Sequence, residues 1–284
     1  MESIFLKNRT IFLLCLFLPV LLAGCKEKNT SDENNIGFNS IEKNAIYHLF
    51  NDETNPGCNL DIKFTYPASY GDEKILKELQ DKFVVSAFGE KYAGHDPQSA
   101  LESYAESYVQ SYKELEPDFL KEKENFPDEN PASWYNYTEN RANEVFFNRA
   151  RILSFINKME NYTGGAHGSH QFINNVIDLA TGKWIRENDI FLENFKEPVA
   201  RLIIDKIVEN NQVESAEKLL DIGYFSIDEI QPNGNILVNE QGITYTFNEY
   251  EIAAYVIGPT KVLLPYDELS FYLKKESPIS HLYK

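Results

Sequence analysis

The spacing of apolar residues changes along the first half of the chain and divides it into predicted strands and helices. Alternation of apolar and polar residues over 58–66 predicts a β-strand with one buried face. Helical spacing over residues 72–92, behind a capping aspartate, predicts a helix. A second helix is predicted over residues 96–117, where an Asp-Pro pair begins the segment and another proline ends it.

A different pattern follows these two helices. Residues 118–133 are charged and contain prolines, which predicts a loop. Three strand-like runs then occur at 134–147, 150–162 and 171–179, separated by Asn, Gly and Thr. We expect these strands to form an antiparallel meander packed on the two helices.

The chain beyond Trp184 mixes short strands with helices. Helical spacing is found at residues 194–210 and 215–220 and near 267–275. The predicted strands are 236–238, 243–247 and 261–264. Because strands and helices are grouped and do not alternate as βαβ units, we expect an α+β fold, with antiparallel sheets packed with helices in two closely associated modules.

The N-terminus has the pattern of an export signal, with basic residues first and an apolar run over residues 11–22. The following Leu22-Ala23-Gly24-Cys25 resembles the lipobox of bacterial lipoproteins, in which Cys25 becomes the lipidated first residue. An apolar run of about a dozen residues is shorter than the roughly 20 that span a bilayer. We therefore expect an exported protein held by a lipid anchor alone, on the periplasmic face or cell surface, and we favour the outer membrane.

These patterns divide the chain into four segments. Residues 1–24 are predicted as a lipoprotein signal peptide, and the polar residues 25–44 as a flexible tether. Residues 45–183 are predicted as an N-terminal α+β module, and residues 184–276 as a C-terminal one.

Charge and cysteine content restrict the partners and the covalent chemistry. The full chain has a net charge of −17, and the signal peptide carries two of its basic residues and one acidic residue. An acidic field of this size repels nucleic acid and attracts basic proteins, although a solvated surface explains the same charge without any partner. Once Cys15 is removed and Cys25 is acylated, Cys58 has no disulfide partner, and its strand pattern predicts a small buried side chain.

A glycine-rich loop between two predicted strands is the first candidate for chemistry. Three glycines over residues 162–170 permit positive φ angles and a close approach of the backbone to another group. Two histidines do not make a zinc site without a third ligand, so we predict no metal and no cofactor. A partner-binding loop and a structural turn both remain open. The candidate residues are Thr163, Gly164, Gly165, His167 and His170.

A second candidate loop covers residues 248–260 and contains Tyr250 and Tyr255. Tyrosines on an irregular segment suit recognition, since they combine apolar area with a polar tip, but ordinary packing explains them somewhat better. The chain contains no nucleophile elbow, no His-Glu-x-x-His, no phosphate-binding loop and no Cys-x-x-Cys. No motif therefore predicts catalysis.

Three segments together resemble a known family. Residues 162–168, 178–183 and 250–259, in this order, resemble the bacterial family named domain of unknown function 3298, preceded by its companion module number 4163. The resemblance covers roughly residues 45–276. Modules of this kind occur in a lysozyme-binding anti-sigma factor and in the non-catalytic part of a peptidoglycan deacetylase.

The resemblance implies the binding function of these modules, without the sigma-factor control or the deacetylase activity of the two proteins. No spanning helix and no deacetylase metal motif are visible, and the chain extends only slightly beyond the predicted modules. We therefore expect a non-enzymatic, lipid-anchored binding protein of the cell envelope, whose partner is a basic protein such as lysozyme or is peptidoglycan. The alternatives are an envelope glycan hydrolase or deacetylase that uses His167 with an unidentified carboxylate, and a structural lipoprotein.

Overall fold

The long alternating runs build one six-stranded sheet. The computed structural model describes residues 33–126 and 132–283. Neighbouring strands are antiparallel except β2 and β3, which run parallel, so the predicted antiparallel arrangement is wrong at this junction. In order across the sheet, the strands are β1 (Gly37–His48), β2 (Gly57–Ser69), β3 (Tyr137–Arg149), β4 (Ile152–Thr163), β5 (Ser169–Asp178) and β6 (Lys183–Trp184).

Between β2 and β3 the described residues form four α-helices, and this long connection returns the chain so that the two strands can pair in parallel. Asp72 accepts hydrogen bonds from the backbone N–H groups of Lys74 and Ile75, as expected of an N-cap. Asp96 caps the second helix in the same way, and both predicted helices are confirmed. The helices are α1 (Glu73–Phe88), α2 (Pro97–Lys113), α3 (Glu116–Asn125) and α4 (Ala132–Tyr135).

The helix α3 occupies the first half of the segment 118–133, which the sequence predicts as a loop. Pro117 lies in its first turn, where a missing backbone N–H costs no hydrogen bond. Lys and Glu favour the helix, and Phe119 is buried by it. The proline that was interpreted as the end of one helix therefore begins the next.

The C-terminal part contains a three-stranded antiparallel sheet and four short or medium helices. The predicted final helix ends at Leu269, because the chain then pairs with the segment after α5, where the Lys274 N–H donates to the Ile190 carbonyl oxygen. The elements are α5 (Glu187–Ile190), α6 (Lys196–Asn211), α7 (Glu217–Ile222), β7 (Ile236–Val238), β8 (Gly242–Phe247), β9 (Thr260–Pro265) and α8 (Tyr266–Leu269).

The central strands β4 and β5 carry a hydrophobic core on each face. On the helix side, the ring of Phe155 stacks on Phe83 of α1, with centroids 3.9 Å apart. On the other side, Ile152 and Val176 pack with α6 and with the three-stranded sheet. The two modules therefore share β4 and β5, and the fold class is α+β as predicted. Cys58 is buried as expected, and burial raises the pKa of its thiol.

The N-terminal segment corrects the predicted tether. Residues 37–44 of the tether predicted at 25–44 belong to the strand β1. Glu33 already pairs with Arg149, and the Asn34 side chain donates to the Ile152 carbonyl oxygen. The segment is rich in polar residues because an edge strand exposes one face to solvent, and this composition is also typical of a linker. Cys25 and the predicted signal peptide lie outside the described residues.

Candidate functional site

The two candidate loops meet at one surface. The His167 ring stacks on Tyr255 with centroids 3.9 Å apart and planes 15° apart. The His167 Nε2 atom lies 3.1 Å from the Tyr250 hydroxyl oxygen, and the two tyrosine rings are 5.9 Å apart. We call His167, Tyr250 and Tyr255 the aromatic platform. It joins a loop after β4 to a loop after β8.

The aromatic platform is exposed. Tyr250 is 54% exposed and adopts a positive φ of 63°, and the adjacent Val256 is 85% exposed. His167 is exposed and Tyr255 is half-buried. Stacked rings with polar tips at the surface form a preorganised area that can bury apolar surface and donate or accept hydrogen bonds.

The second histidine contacts a carboxylate that the sequence patterns did not single out. Glu249 accepts a hydrogen bond from the His170 backbone N–H at 2.9 Å and lies 2.8 Å from His170 Nδ1. Its side chain is only 6% exposed. His167 contacts the tyrosines and His170 contacts Glu249, so the two histidines have separate roles. Within residues 33–126 and 132–283, no three His, Cys, Asp or Glu side chains are grouped as metal ligands.

The glycines of the first loop are placed by the end of β4. Thr163 ends β4 opposite Tyr137, and Gly165 follows on the exposed surface. Gly164 has a φ of +87°, and a Cβ at this position would lie 2.0 Å from the Trp134 carbonyl oxygen. Gly164 is therefore required by packing against Trp134. Trp134 is 55% exposed and lies beside the loop, although its sequence pattern predicted only the start of a strand.

Side chains of the C-terminal part bind the outer edge of β5 and hold the two loops together. The backbone N–H groups of His170, Phe172 and Asn174 donate to side-chain oxygens of Glu249, Asn248 and Asn235 at 2.9, 2.7 and 2.8 Å. The amide nitrogens of Asn248 and Asn235 donate back to the Phe172 carbonyl oxygen. We call Asn235, Asn248 and Glu249 the side-chain ladder. The ladder forms hydrogen bonds with backbone groups at the edge of β5, where another strand would otherwise pair.

Comparison with known proteins supports this architecture. Residues 188–267 match a family described as "Protein of unknown function (DUF3298)", and residues 53–170 match the family "Deacetylase PdaC". A solved structure of a DUF3298 family member from Bacteroides fragilis NCTC 9343 is 31% identical, with a TM-score of 0.82. The alignment covers 89% of this chain and 99% of that one. The chain belongs to the DUF3298 family.

A second DUF3298 structure, from Pseudomonas aeruginosa PAO1, is 14% identical with a TM-score of 0.55 and shares the fold. That alignment covers 85% of this chain and 96% of the other. No functionally curated protein matches the chain. The predicted DUF3298 relationship is confirmed, and together the two family matches indicate a cell-envelope-related protein. No helix in the described residues is both long and apolar enough to span a bilayer.

A half-buried carboxyl group lies at the start of α5 in this DUF3298 protein. Burial raises the pKa of Glu187, the first residue of α5, above its usual range. The Glu187 Oε1 atom and the hydroxyl of Tyr245 are both buried, without a hydrogen-bond partner among the described residues. Burial also raises the pKa of the Tyr245 hydroxyl. The folded state therefore binds a proton at Glu187 more strongly than the unfolded chain does.

We expect Glu187→Gln to raise the melting temperature at neutral pH, by an amount that shrinks as the pH falls towards about 4. A carboxyl whose pKa is raised on folding contributes stability below its unfolded pKa and loses it as the pH rises through its folded pKa. Glutamine is neutral throughout, so it avoids the cost of burying the carboxylate. Thermal unfolding at several pH values measures the effect, with the exposed Glu193→Gln as control. A pH-independent difference would contradict the prediction.

Proposed function

We propose that this DUF3298 protein is a non-catalytic, lipid-anchored binding protein of the bacterial cell envelope, and that the aromatic platform contacts a basic protein of the lysozyme type. The observation that carries the proposal is the convergence of His167, Tyr250 and Tyr255 on one exposed surface. These side chains come from loops far apart in sequence, and the side-chain ladder holds both loops in place.

The platform has the properties of a recognition surface. Its rings are fixed by stacking and by the His167–Tyr250 contact, so little side-chain entropy is lost on binding. Aromatic side chains are enriched at the centres of protein interfaces. The ring of His167 contacts the two tyrosines, whereas the carboxylate of Glu249 contacts His170 and not His167. This arrangement favours binding over acid–base catalysis at His167.

The charge of the protein favours a basic partner. The full chain has a net charge of −17, and the exposed Glu251 follows Tyr250 closely in sequence. Opposite charge on a partner increases the association rate and makes the affinity sensitive to salt.

We expect lysozyme to bind the mature chain at low ionic strength and to lose affinity as the salt concentration rises, because screening weakens the attraction between opposite charges. Isothermal titration calorimetry at several salt concentrations measures this. Absence of heat at low salt, with a folded protein, removes a basic protein of the lysozyme type from the proposal.

The proposed anchor is diacyl or triacyl lipid on Cys25, since several acyl chains are needed for durable attachment. We expect Cys25→Ala to move the protein from the membrane fraction to the soluble fraction when cells are fractionated. Retention of the variant at the membrane would show that Cys25 does not anchor the protein.

A second function is favoured by the match of residues 53–170 to the family "Deacetylase PdaC". In this alternative, His167 acts with a carboxylate on a wall glycan. Release of acetate or of sugar fragments from purified peptidoglycan, abolished by His167→Ala, would support it over the binding proposal.

A further inference from the structure

A groove of about 440 Å³ is lined by Asn248 and Glu251 of the second loop and by Trp184 and Arg186. It lies between the C-terminal end of α1, the strand β5 and the turn at residues 233–235. Binding sites for small molecules have volumes of this order, whereas a folded protein cannot enter such a space. We call it the amide groove and define it by Asn175, Trp184, Arg186, Asn233, Asn248 and Glu251.

The polar groups along the amide groove are fixed before any ligand binds. Asn233 donates to the Thr246 carbonyl oxygen and to Glu251 Oε1, at 2.9 and 2.6 Å. Asn248 exchanges two hydrogen bonds with the backbone of Phe172. Amide and carboxylate oxygens have further lone pairs after one hydrogen bond, so these walls offer acceptors in fixed positions. A ligand with many hydroxyl or amide donors matches them.

A cation lies at the other end of the groove. The guanidinium carbon of Arg186 is 5.2 Å from the centroid of the Trp184 ring, and the side chain is exposed. Among the described residues, Arg186 has no carboxylate within 4.0 Å. A guanidinium held on an aromatic face presents its N–H groups to a carboxylate in paired geometry.

A small cavity next to the groove is lined by a residue with an unpaired acceptor. Ser86 and Ile173 line both the amide groove and a neighbouring cavity of about 30 Å³. Asn157 donates to the Ser86 hydroxyl in this cavity, and its Oδ1 atom is buried with no partner among the described residues. A buried acceptor without a donor is unfavourable, and the cavity has room for one hydroxyl-sized donor.

We propose that the amide groove binds a short acidic saccharide, with its carboxylate on Arg186 and its hydroxyl and amide groups on the asparagines. The carboxylates of Glu90 and Glu251 also line the groove and can accept from hydroxyl and amide groups of the sugar, so its single negative charge is assigned to Arg186, the one cation among the described residues of the lining. The site is separate from the aromatic platform and goes beyond the proposed protein partner.

The test uses a disaccharide of N-acetylglucosamine and N-acetylmuramic acid, which carries a carboxylate, and neutral diacetylchitobiose. In NMR titrations of the ¹⁵N-labelled mature chain, the acidic disaccharide shifts the side-chain amide signals of Asn175, Asn233 and Asn248, and the neutral sugar binds more weakly. Arg186→Ala weakens binding by about tenfold or more, the loss of one charged hydrogen-bonded pair. Arg201→Ala, an exposed arginine on α6, is the matched control and has no effect.

Two results overturn the proposal. The first is the absence of amide shifts at millimolar acidic disaccharide. The second is equal weakening by Arg186→Ala and Arg201→Ala, which would indicate general charge attraction. Tyr255→Ala separates the two sites, because it is expected to weaken lysozyme binding and to leave disaccharide binding unchanged. If the disaccharide does not bind the groove, the proposal of a protein partner at the platform is unaffected. If lysozyme does not bind the platform, the proposal of a saccharide site is likewise unaffected.

Discussion

Asn235→Ala is expected to lower the free energy of unfolding by about 3 kcal/mol. The Asn235 side chain accepts from the Asn174 N–H at 2.8 Å and donates to the carbonyl oxygens of Phe172 and Thr246 at 3.0 and 2.9 Å. Alanine removes all three bonds and leaves the Asn174 N–H without its acceptor, whereas the carbonyl oxygens of Phe172 and Thr246 each keep one bond, from Asn248 and Asn233. The same substitution opens the side-chain ladder between β5 and the C-terminal part.

Denaturant unfolding measures this effect, and the matched control is Asn59→Ala. Asn59 is an exposed asparagine on β2, and its loss is expected to change stability by less than about 0.5 kcal/mol. A destabilisation by Asn235→Ala no larger than that of the control would show that the ladder contributes little to stability.

Tyr255→Ala is expected to weaken binding of a basic protein partner by about thirtyfold, equivalent to roughly 2 kcal/mol. The Tyr255 ring is the surface on which His167 stacks, so the substitution removes one ring and frees another. Ordering the freed ring again on binding costs further entropy. The loss is expected mainly as faster dissociation, which surface plasmon resonance separates from association.

The control for this substitution is Phe271→Ala, which removes an aromatic ring that is 85% exposed and lies after α8, outside the platform. If the affinity falls equally with both substitutions, the partner uses no defined aromatic surface. If Tyr255→Ala has no effect while lysozyme still binds, the partner contacts another face of the protein.

Local sequence patterns predicted most elements of this fold because their causes are local. The capping aspartates and apolar spacing of α1 and α2 act within one or two turns. The alternation in β2, β4 and β5 likewise depends on neighbours two residues apart. The errors arose where the same signal has two meanings. A proline both ends and begins helices, as at Pro117, and a polar run can be a linker or an edge strand, as in β1.

The candidate site was predicted only in part. His167, Tyr250 and Tyr255 were selected by residue type, and the structure brings them together across a separation of 83 residues between His167 and Tyr250. The residues that cause this meeting are Asn235, Asn248 and Glu249, whose hydrogen bonds reach β5 over long sequence distances. No local sequence pattern indicates that an asparagine side chain will hydrogen-bond to a strand edge in the place of a neighbouring strand. Periodicity alone therefore could not identify them.

The β-bridge between Glu33 and Arg149 and the aromatic platform lie at opposite ends of β4. The chain joins the domain at the β3–β4 turn, and the aromatic platform follows Thr163 at the other end of β4. A strand of this length spans roughly 35 Å at about 3.3 Å per residue. A molecule bound at the platform would therefore lie about one strand length from Glu33, the first residue that the structure describes.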